Sequence, residues 1–261
     1  MSELCVVVMS CDKYSDIWQS FYTLFDKYWS DCPLKVYHIS ETKKLNHPKV
    51  VSLVAGAGTE WSERLAWALA KIPERYVLFL LEDYLLIDYV DTKRIIDLVN
   101  VIKAEEAGYM RIFPCPAPDI NYKEYKDIGL ILKHSPYNVT TQATIWDKEI
   151  LKSILVPTET VWKFEIEGSK RTTQIEKIFL GLQEKNSRIF KPSDYPYPYF
   201  CTAVFKGKWM RGAVEHCTKE GIKLDLEYRP VESSMDEFYR VYYPKSPVFI
   251  QHIMDFVKSR V

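Results

Sequence analysis

What the sequence lacks removes several classes of protein. It has no apolar run of the roughly 18 to 20 residues that cross a membrane. Its 35 basic residues are balanced by 35 acidic ones, so no global positive field favours nucleic acid. Glycine is scarce, at 9 of 261 residues, and no Gly-Lys-Ser or Gly-Lys-Thr signature of a P-loop follows Gly56 and Gly58. We expect no nucleic-acid partner, no P-loop and at most peripheral membrane contact.

Paired cysteine motifs are also missing. The six cysteines are widely spaced, with no Cys-x-x-Cys pair, which argues against a zinc site and against a disulfide scaffold. The first residues, MSELCVVVMS, lack a basic region, and their apolar run is too short for a signal peptide. We therefore expect reduced thiols and a cytoplasmic protein, with the inner face of the membrane as the other location left open.

Apolar runs and helical spacing alternate over the first 105 residues. The predicted strands are LCVVVM, LKVYHIS, VVSLVAG and YVLFLLED, and the predicted helices are IWQSFYTLFDKYW, residues 62–71 and DTKRIIDLVNVIKAEE. Crossover helices between such strands imply an α/β fold, with a mostly parallel sheet covered on both faces. Ligands of these sheets bind beyond the carboxyl ends of the strands. The loops after Met9, Ser40 and Leu81 should therefore meet at one edge.

The second half of the sequence has a different character. The predicted strands are GYMRIF, DIGLILKH and TTQATIW, the predicted helices are WDKEILKSIL and TTQIEKIFLGLQEK, and SRIFKPS and YFCTAVFKGKW are strands or loops. We predict a single domain over residues 1–261, in which a nucleotide-fold half at about 1–105 is followed by a mixed α+β half at about 106–261.

Two adjacent carboxylates, Glu82 and Asp83, end the most apolar predicted strand. Unpaired charge is costly to bury, so these groups need a partner. Carboxylates at a strand end can hold a divalent cation, which can neutralise a diphosphate. The structural alternative is an acid in a loop or a helix cap beside an arginine or lysine. Residue types alone leave both interpretations open.

The chain resembles the glycosyltransferases of the GT-A fold, and more specifically glycosyltransferase-like proteins of bacterial surface-polysaccharide clusters (capsule and lipopolysaccharide). The stretches that carry the resemblance are VVVMSCDKYSDIW, WSERLAWAL, LLEDYLL, YMRIFPCP, TTQATIWDKEIL, VWKFEIEGSKR and, weakly, GKWMRGA. In that fold an Asp-x-Asp-type motif contacts the metal and diphosphate of a nucleotide-sugar. This chain has Leu-Glu-Asp-Tyr, so one acid is missing in either register, and Mn²⁺ or Mg²⁺ and a metal-free reaction both remain open.

The resemblance implies a donor site in the first half and an acceptor site in the second. The donor residues that it implies are Ser10, Asp12, Tyr14, Trp61, Arg64, Glu82, Lys206, Lys208 and Arg211. Ser10, Asp12 and Tyr14 would hold the base, or they form an ordinary turn with a helix cap. Arg64, a cation in a first helical turn, is predicted to face an anion such as a phosphate or Asp83. The late basic cluster would grip the diphosphate, unless it is a solvated turn.

A second carboxylate, Glu165, lies among aromatic residues in WKFEIEG. Apolar surroundings raise a carboxyl pKa toward neutrality, which suits a general base. The resemblance implies that a carboxylate here accepts the proton of the acceptor hydroxyl. Glu165 is our choice, with Glu167 in reserve, and Trp162 and Gln142 are predicted to contact the acceptor. The alternative is that this segment is core and that Glu165 is solvated or ion-paired.

The sequence thus predicts a glycosyltransferase, inverting in mechanism, that moves a sugar from a nucleotide-sugar, a UDP-sugar first among them, to a glycan or a lipid-linked acceptor. Glu165 and Asp83 are the predicted catalytic residues, with Asp83 and Glu82 as metal ligands. A catalytically silent sugar- or nucleotide-binding module is the rival hypothesis, and a nucleotidyltransferase is a more distant one. The donor base, the sugar and the acceptor are not set by the sequence.

Overall fold

The computed structural model of this chain describes residues 3–185 and 191–242. The chain divides into two compact units, Met1–Cys201 and Thr202–Val261. Within the described residues, the first unit contains a nine-stranded sheet and the second a two-stranded one. The arrangement predicted from sequence, one domain that changes character near residue 105, stays a prediction.

The first half of unit 1 alternates strands and helices as predicted. Its elements are β1 Leu4–Met9, α1 Trp18–Tyr28, β2 Lys35–Ser40, β3 Val50–Val54, α2 Trp61–Leu69, β4 Tyr76–Leu81 and α3 Thr92–Ala104. The strands β3, β2, β1 and β4 are neighbours in that order and all run parallel. Parallel strands covered on both faces read as continuous apolar runs, and β1 is buried at every position.

The register places the three predicted loops at one edge. Met9 is paired with Leu81 on one side and with Ile39 on the other, so β1, β2 and β4 end at the same level. The loop after β1 is fastened there by a hydrogen bond from the Ser10 amide to the Ile39 carbonyl, at 2.9 Å. The residues that follow these strands are therefore the first place to look for a ligand site.

Acidic side chains cap α2 and α3. Asp91 caps α3 by accepting from the Arg94 amide at 2.8 Å. Helix α2 begins at Trp61, where Glu60 and Glu63 close a reciprocal capping box. Ser62 lies inside the helix as a result, fully buried.

The second half of unit 1 extends the same sheet with short strands. Its strands are β5 Tyr109–Arg111, β6 Ile120–Asn121, β7 Ile128–Ile131, β8 Thr144–Asp147 and β9 Phe179–Leu182, and its helices are α4 Lys148–Ile154, α5 Val161–Lys163 and α6 Ser169–Arg171. Strand β8 runs antiparallel between β4 and β5, while β9 is parallel to β5 and antiparallel to β7. The α/β class is confirmed, with an all-parallel first half and a mixed second half.

The predicted helix TTQIEKIFLGLQEK is wrong. A 3₁₀ turn at Thr172–Gln174 is followed by β9, a four-residue strand that is buried throughout. A short apolar run does not distinguish a buried strand from a buried helix. Gly181 fits the strand because it lies flat against its partner: a Cβ added there would be 3.4 Å from Arg111 Cβ. Tyr109 and Phe179 stack across β5 and β9 with ring centroids 5.1 Å apart.

Unit 2 comprises β10 Val204–Phe205, β11 Lys208–Trp209, α7 Arg211–Lys219 and α8 Ser234–Tyr242. Lys206 and Gly207 form the two-residue turn between the strands, with φ angles of 49° and 79°. Two positive φ angles are what such a hairpin turn requires. Most of the predicted segment SRIFKPS lies outside the described residues. No helix of the described chain is long and apolar enough to cross a bilayer.

Candidate functional site

The loops after β1 and β2 are tied together by Asp12. Its carboxylate accepts from the Lys43 amide at 3.0 Å and from the amide and hydroxyl of Thr42. Its own amide donates to Glu41 Oε2 at 2.8 Å. Burial pushes the pKa of Asp12 upward, but the donors from Thr42 and Lys43 outweigh it and leave that pKa below its ordinary value. Asp12 therefore connects two loops at the sheet edge, a role that the sequence did not suggest.

The sequence suggested a phosphate or Asp83 as the anion that Arg64 faces, whereas within unit 1 its guanidinium is paired with the Glu41 carboxylate. The guanidinium is buried, and its Nη1 donates to Glu41 Oε1 at 3.1 Å and to the Thr59 carbonyl at 2.7 Å. Its Nε and the Ser62 hydroxyl are buried polar atoms without a hydrogen-bond partner among the described residues. Buried polar groups are rarely left unpaired, so these two atoms are exceptions within unit 1.

The remaining donor-side residues of unit 1 are partly committed to packing. Ser10 is buried, and its hydroxyl accepts from Trp18 Nε1 at 2.6 Å. Tyr14 ends a short 3₁₀ turn, Asp12–Tyr14, beside the same loop. Trp61 contacts the ring of Phe164 at 5.2 Å. Because Phe164 precedes Glu165, Trp61 links the start of α2 to the predicted base.

Glu82 and Asp83 form the turn directly after β4, and both are at least nine-tenths buried. Burial raises the pKa of the Cys11 thiol to about 11, and the negative charge of Glu82 adds to that shift. Glu82 therefore lies toward the β1 loop. Asp83 acts in the same sense on the thiol of Cys201, whose pKa is raised first by its hydrogen bond with Cys115 and by burial. The two neighbouring acids thus lie near different thiols.

Tyr84, which stands where a third ligand of the acidic motif would be, is a packed residue. Its hydroxyl donates to the Thr141 carbonyl at 2.8 Å, and its ring lies 4.6 Å from that of Tyr199. Burial raises the pKa of Tyr84 well above its ordinary value, so the phenol stays neutral. Its hydrogen bond joins the strand-end turn to the segment that carries Thr141.

Glu165 lies at the other end of that link. It belongs to a π-helical turn, Phe164–Gly168, a local geometry that is frequent at functional sites. Its Oε1 accepts from the Thr141 amide at 2.6 Å, from the Thr141 hydroxyl at 2.8 Å and from the Thr140 hydroxyl at 3.2 Å. One carboxylate oxygen is thus held in place by three donors. The structure connects Glu165 to the turn at Asp83 through Thr141 and Tyr84.

A cleft of about 390 Å³ opens beside Glu165. Tyr137 and Ile166 line it and are half exposed, and His134 and Lys170 lie on its wall. Tyr137 has a φ of 53°, in the left-handed region that a bulky residue rarely adopts. The buried guanidinium of Arg111 stabilises this backbone by donating to the Tyr137 carbonyl at 2.7 Å. The cleft thus places a half-exposed aromatic side chain, on a backbone held by Arg111, beside a carboxylate.

The two predicted acceptor residues are placed differently. Gln142 is half-buried, and its Oε1 accepts from the Tyr199 hydroxyl at 2.6 Å and from the Cys201 thiol at 3.7 Å. Trp162 is 71% exposed and is not among the residues that line the cleft. An exposed tryptophan one turn from Glu165 offers a stacking surface for a sugar. The acceptor roles of both residues stay predictions.

The late basic cluster belongs to unit 2, where two of its members are paired. Lys208 Nζ lies 2.8 Å from Asp236 Oδ2, and Arg211 Nε lies 3.4 Å from Glu237 Oε2. Lys206 occupies the hairpin turn, with its ammonium over the ring of Phe205. These pairings favour the solvated-turn interpretation within the unit, and the diphosphate-binding role stays a prediction.

Over residues 3–185 and 191–242, no three His, Cys, Asp or Glu side chains are grouped as metal ligands. Mg²⁺ is commonly held by one or two carboxylates together with substrate phosphates. The Glu82–Asp83 turn fits a cation bound in that shared manner, and Mn²⁺ or Mg²⁺ stays a prediction.

Sequence reasoning missed Glu41, Thr141, Tyr137 and the contact between Cys115 and Cys201. Glu41 directly follows β2, so the strand-end rule that selected Glu82 could have found it. The other three depend on contacts between distant segments and left no local signal.

The fold and this edge define an α/β protein whose parallel first half is Rossmann-like. No protein-family model and no curated protein sequence matches the chain. Among solved structures, S. aureus TarS 1-349 is 15% identical over 71% of this chain and 59% of its own, with a TM-score of 0.47. The same protein in complex with UDP-GlcNAc is 14% identical over 74% and 63%, with a TM-score of 0.45. A cytidylyltransferase from Leptospira borgpetersenii is 9% identical over 72% and 79%, with a TM-score of 0.41. The chain spans less than two thirds of these TarS chains.

Proposed function

We propose that this protein is a glycosyltransferase that moves a sugar from a nucleotide-sugar to a hydroxyl of a glycan or lipid-linked acceptor in surface-polysaccharide synthesis. The observation that carries the proposal is the chain of contacts from the Glu82–Asp83 turn through Tyr84 and Thr141 to Glu165. It joins acids at the ligand-binding edge of the sheet to a carboxylate beside an open cleft. A transferase needs both, because one group of residues must bind the leaving diphosphate and another must take the acceptor proton.

The donor is proposed to bind at the loops after β1 and β2 and at the start of α2. Asp12 and Glu41 fix these loops. The amide groups at a helix N-terminus favour an anionic group such as a phosphate. A UDP-sugar, the donor in one of the TarS structures, is the first to test.

Glu165 is proposed to act as the general base of an inverting single displacement. The acceptor hydroxyl would lie in the cleft, with its sugar against Tyr137. Anchoring of Oε1 by Thr140 and Thr141 leaves the second oxygen, Oε2, to accept the proton. As the hydroxyl oxygen attacks the anomeric carbon, the bond to the nucleoside diphosphate breaks. Asp83, with Glu82, would hold a cation that neutralises the departing diphosphate. A carboxylate fixed in this way loses no orientation when the proton arrives.

The first experiment is a thermal-shift panel of nucleotide-sugars, with and without Mn²⁺, followed by hydrolysis assays on any donor that binds. A true donor stabilises the folded chain by mass action, by about 2.7 kcal/mol at one hundred times its Kd. Slow hydrolysis of that donor supports an enzyme. Binding without hydrolysis or transfer favours the silent module, and release of pyrophosphate from a nucleoside triphosphate favours a nucleotidyltransferase.

Metal dependence is tested on the same samples. We expect chelation by EDTA to reduce hydrolysis only in part, since one acid of the usual motif is replaced. Complete loss that Mn²⁺ restores would instead require the cation for the reaction. Undiminished activity would direct attention to Lys206, Lys208 and Arg211.

A further inference from the structure

Two cysteines from distant parts of unit 1 meet beside the candidate site. Cys115 follows β5 in the loop at 112–118, and Cys201 is the last residue of the unit. The segment before Cys201 is fixed to the residues after Asp83, since the Phe200 amide donates to the Leu85 carbonyl at 3.1 Å. Both cysteines are free and exposed. The fold therefore presents two thiols together at the surface.

The two segments that carry the thiols pack on each other: Phe113, two residues before Cys115, and Tyr199, two residues before Cys201, have ring centroids 4.4 Å apart. The two thiols differ in character. They share a hydrogen bond, which lowers the pKa of Cys115 to about 7, with burial opposing the shift and the Arg111 guanidinium adding to it. The same bond raises the pKa of Cys201, as burial also does. The Cys201 thiol also lies 3.7 Å from Gln142 Oε1, to which it donates. One thiol is thus suited to nucleophilic attack, and its neighbour carries the proton.

The other four cysteines do not show the lowered pKa of Cys115. Burial raises the pKa of each of their thiols: Cys5, Cys11, Cys32 and Cys217. Buried thiols of this kind are inert, and reactive ones are accessible and close to positive charge. Cys115 is therefore the cysteine of this chain whose pKa is lowered, and Cys201 is the thiol beside it.

We propose that Cys115 and Cys201 form an oxidisable dithiol that a hydroperoxide converts into a disulfide. The Cys115 thiolate attacks the peroxide oxygen, the O–O bond breaks, and Cys115 becomes a sulfenic acid while the alkoxide leaves and is protonated to an alcohol. The Cys201 sulfur then attacks the Cys115 sulfur, an S–S bond forms, and water leaves with the thiol proton. Two thiols are oxidised and one hydroperoxide is reduced.

The disulfide would alter the surroundings of the candidate catalytic groups. It removes the thiol that donates to Gln142 Oε1. The charges of Glu165 and Asp83 act on Cys115 and Cys201 respectively, so the new bond forms beside both carboxylates. An effect of oxidation on sugar transfer rests on the proposed function, whereas formation of the disulfide does not.

The test is peptide mapping of the full chain by mass spectrometry after treatment with a hydroperoxide, without reductant. We expect a peptide pair linked through Cys115 and Cys201 that dithiothreitol separates. Cys201→Ser should leave a sulfenic acid on Cys115 that dimedone traps, and Cys32→Ser, the matched control, should leave the linkage unchanged. In the untreated chain at neutral pH, iodoacetamide should alkylate Cys115 at least about tenfold faster than Cys32.

A chain in which the linked pair is absent, or in which Cys115 is alkylated no faster than Cys32, overturns the proposal. Both measurements use wild-type protein, so a Cys201→Ser variant that fails to fold does not remove the test. Neither measurement depends on a donor or an acceptor, and failure of the proposed transferase activity leaves their outcome intact.

Discussion

The carboxylates at the two sides of unit 1 are used in opposite ways. At the donor edge, Asp12 accepts from the residues after β2, and Glu41 holds the Asp12 amide and Arg64. At the cleft, the hydrogen bonds of Glu165 within the described residues reach one oxygen, Oε1, from Thr140 and Thr141. The comparison teaches that burial alone does not distinguish a structural acid from a candidate base. Asp12 and Glu41 have both oxygens engaged and connect loops, and the proposal of Glu165 as the base depends on its second oxygen.

The largest expected effect comes from Glu165→Gln. The amide keeps the shape but cannot take a proton, so sugar transfer should fall by about 10² to 10⁴. Donor affinity should change by less than about tenfold, or roughly 1.4 kcal/mol. Steady-state transfer assays and donor titration of the same protein measure the two quantities.

Glu167→Gln is the matched comparison for that change. Glu167 lies in the same π-helical turn and is paired with Lys170 at 2.8 Å on the surface. Transfer should stay within about twofold of wild type, since surface ion pairs contribute little. If Glu167→Gln abolishes transfer while Glu165→Gln does not, the reserve base was the correct choice. Loss of donor binding in Glu165→Gln would mean that Glu165 belongs to the donor site, and the contrast between the donor edge and the cleft would then be wrong.

The next effect in size is expected for Asp83→Asn. Loss of a charge that stabilises the leaving diphosphate should lower transfer by roughly 10²-fold or more, with an unchanged melting temperature. Glu82→Gln, assayed beside it, settles which acid of the turn matters, because the two lie near different groups. Near-wild-type transfer in both variants would mean that the turn is structural, as Asp12 is.

The strands of the first half of the sheet, and the residues at their ends, could be predicted from sequence because local patterns of apolar residues determine them. Continuous apolar runs identified β1 and β4, and helical apolar spacing identified α3. Contacts between residues far apart in the sequence could not be predicted in this way. Glu41 was missed as the anion for Arg64, and the proximity of Glu165 to the β4 turn depends on Thr141, which packs from another segment. Strand β9 was mistaken for a helix because four apolar residues carry no decisive period.

Arg64→Met tests how much the contacts at the donor edge contribute to the free energy of unfolding. The change removes the donor to Glu41 Oε1 and to the Thr59 carbonyl, and we expect a loss of about 1 to 3 kcal/mol in the free energy of unfolding. Denaturant titration measures this loss.

In a double-mutant cycle with Glu41→Gln, the two losses of unfolding free energy should be less than additive. Lys93→Met, which breaks an exposed pair with Asp97, should cost less than about 0.5 kcal/mol. Strict additivity of Arg64→Met and Glu41→Gln would mean that the two side chains do not stabilise each other.

The smallest effect is a pH dependence that belongs to the parallel half. His38 on β2 is fully buried against Trp18, and burial lowers its pKa from 6.5 to about 3. Below pH 6.5 the unfolded chain binds a proton at this histidine and the folded chain does not. Its contribution to stability is therefore present above that pH and is lost progressively as the pH falls from 6.5 toward 3.

Between pH 7.5 and 5.5 the loss in the free energy of unfolding should be about 1.4 kcal/mol. His38→Gln, compared with wild type by denaturant titration at both pH values, should remove most of this slope, while the exposed His134→Gln should retain it. If the free energy of unfolding depends on pH equally in wild type and His38→Gln, another group causes the acid sensitivity. If the transfer rate depends on pH more steeply than the free energy of unfolding does, the carboxylates of the cleft are the groups to examine.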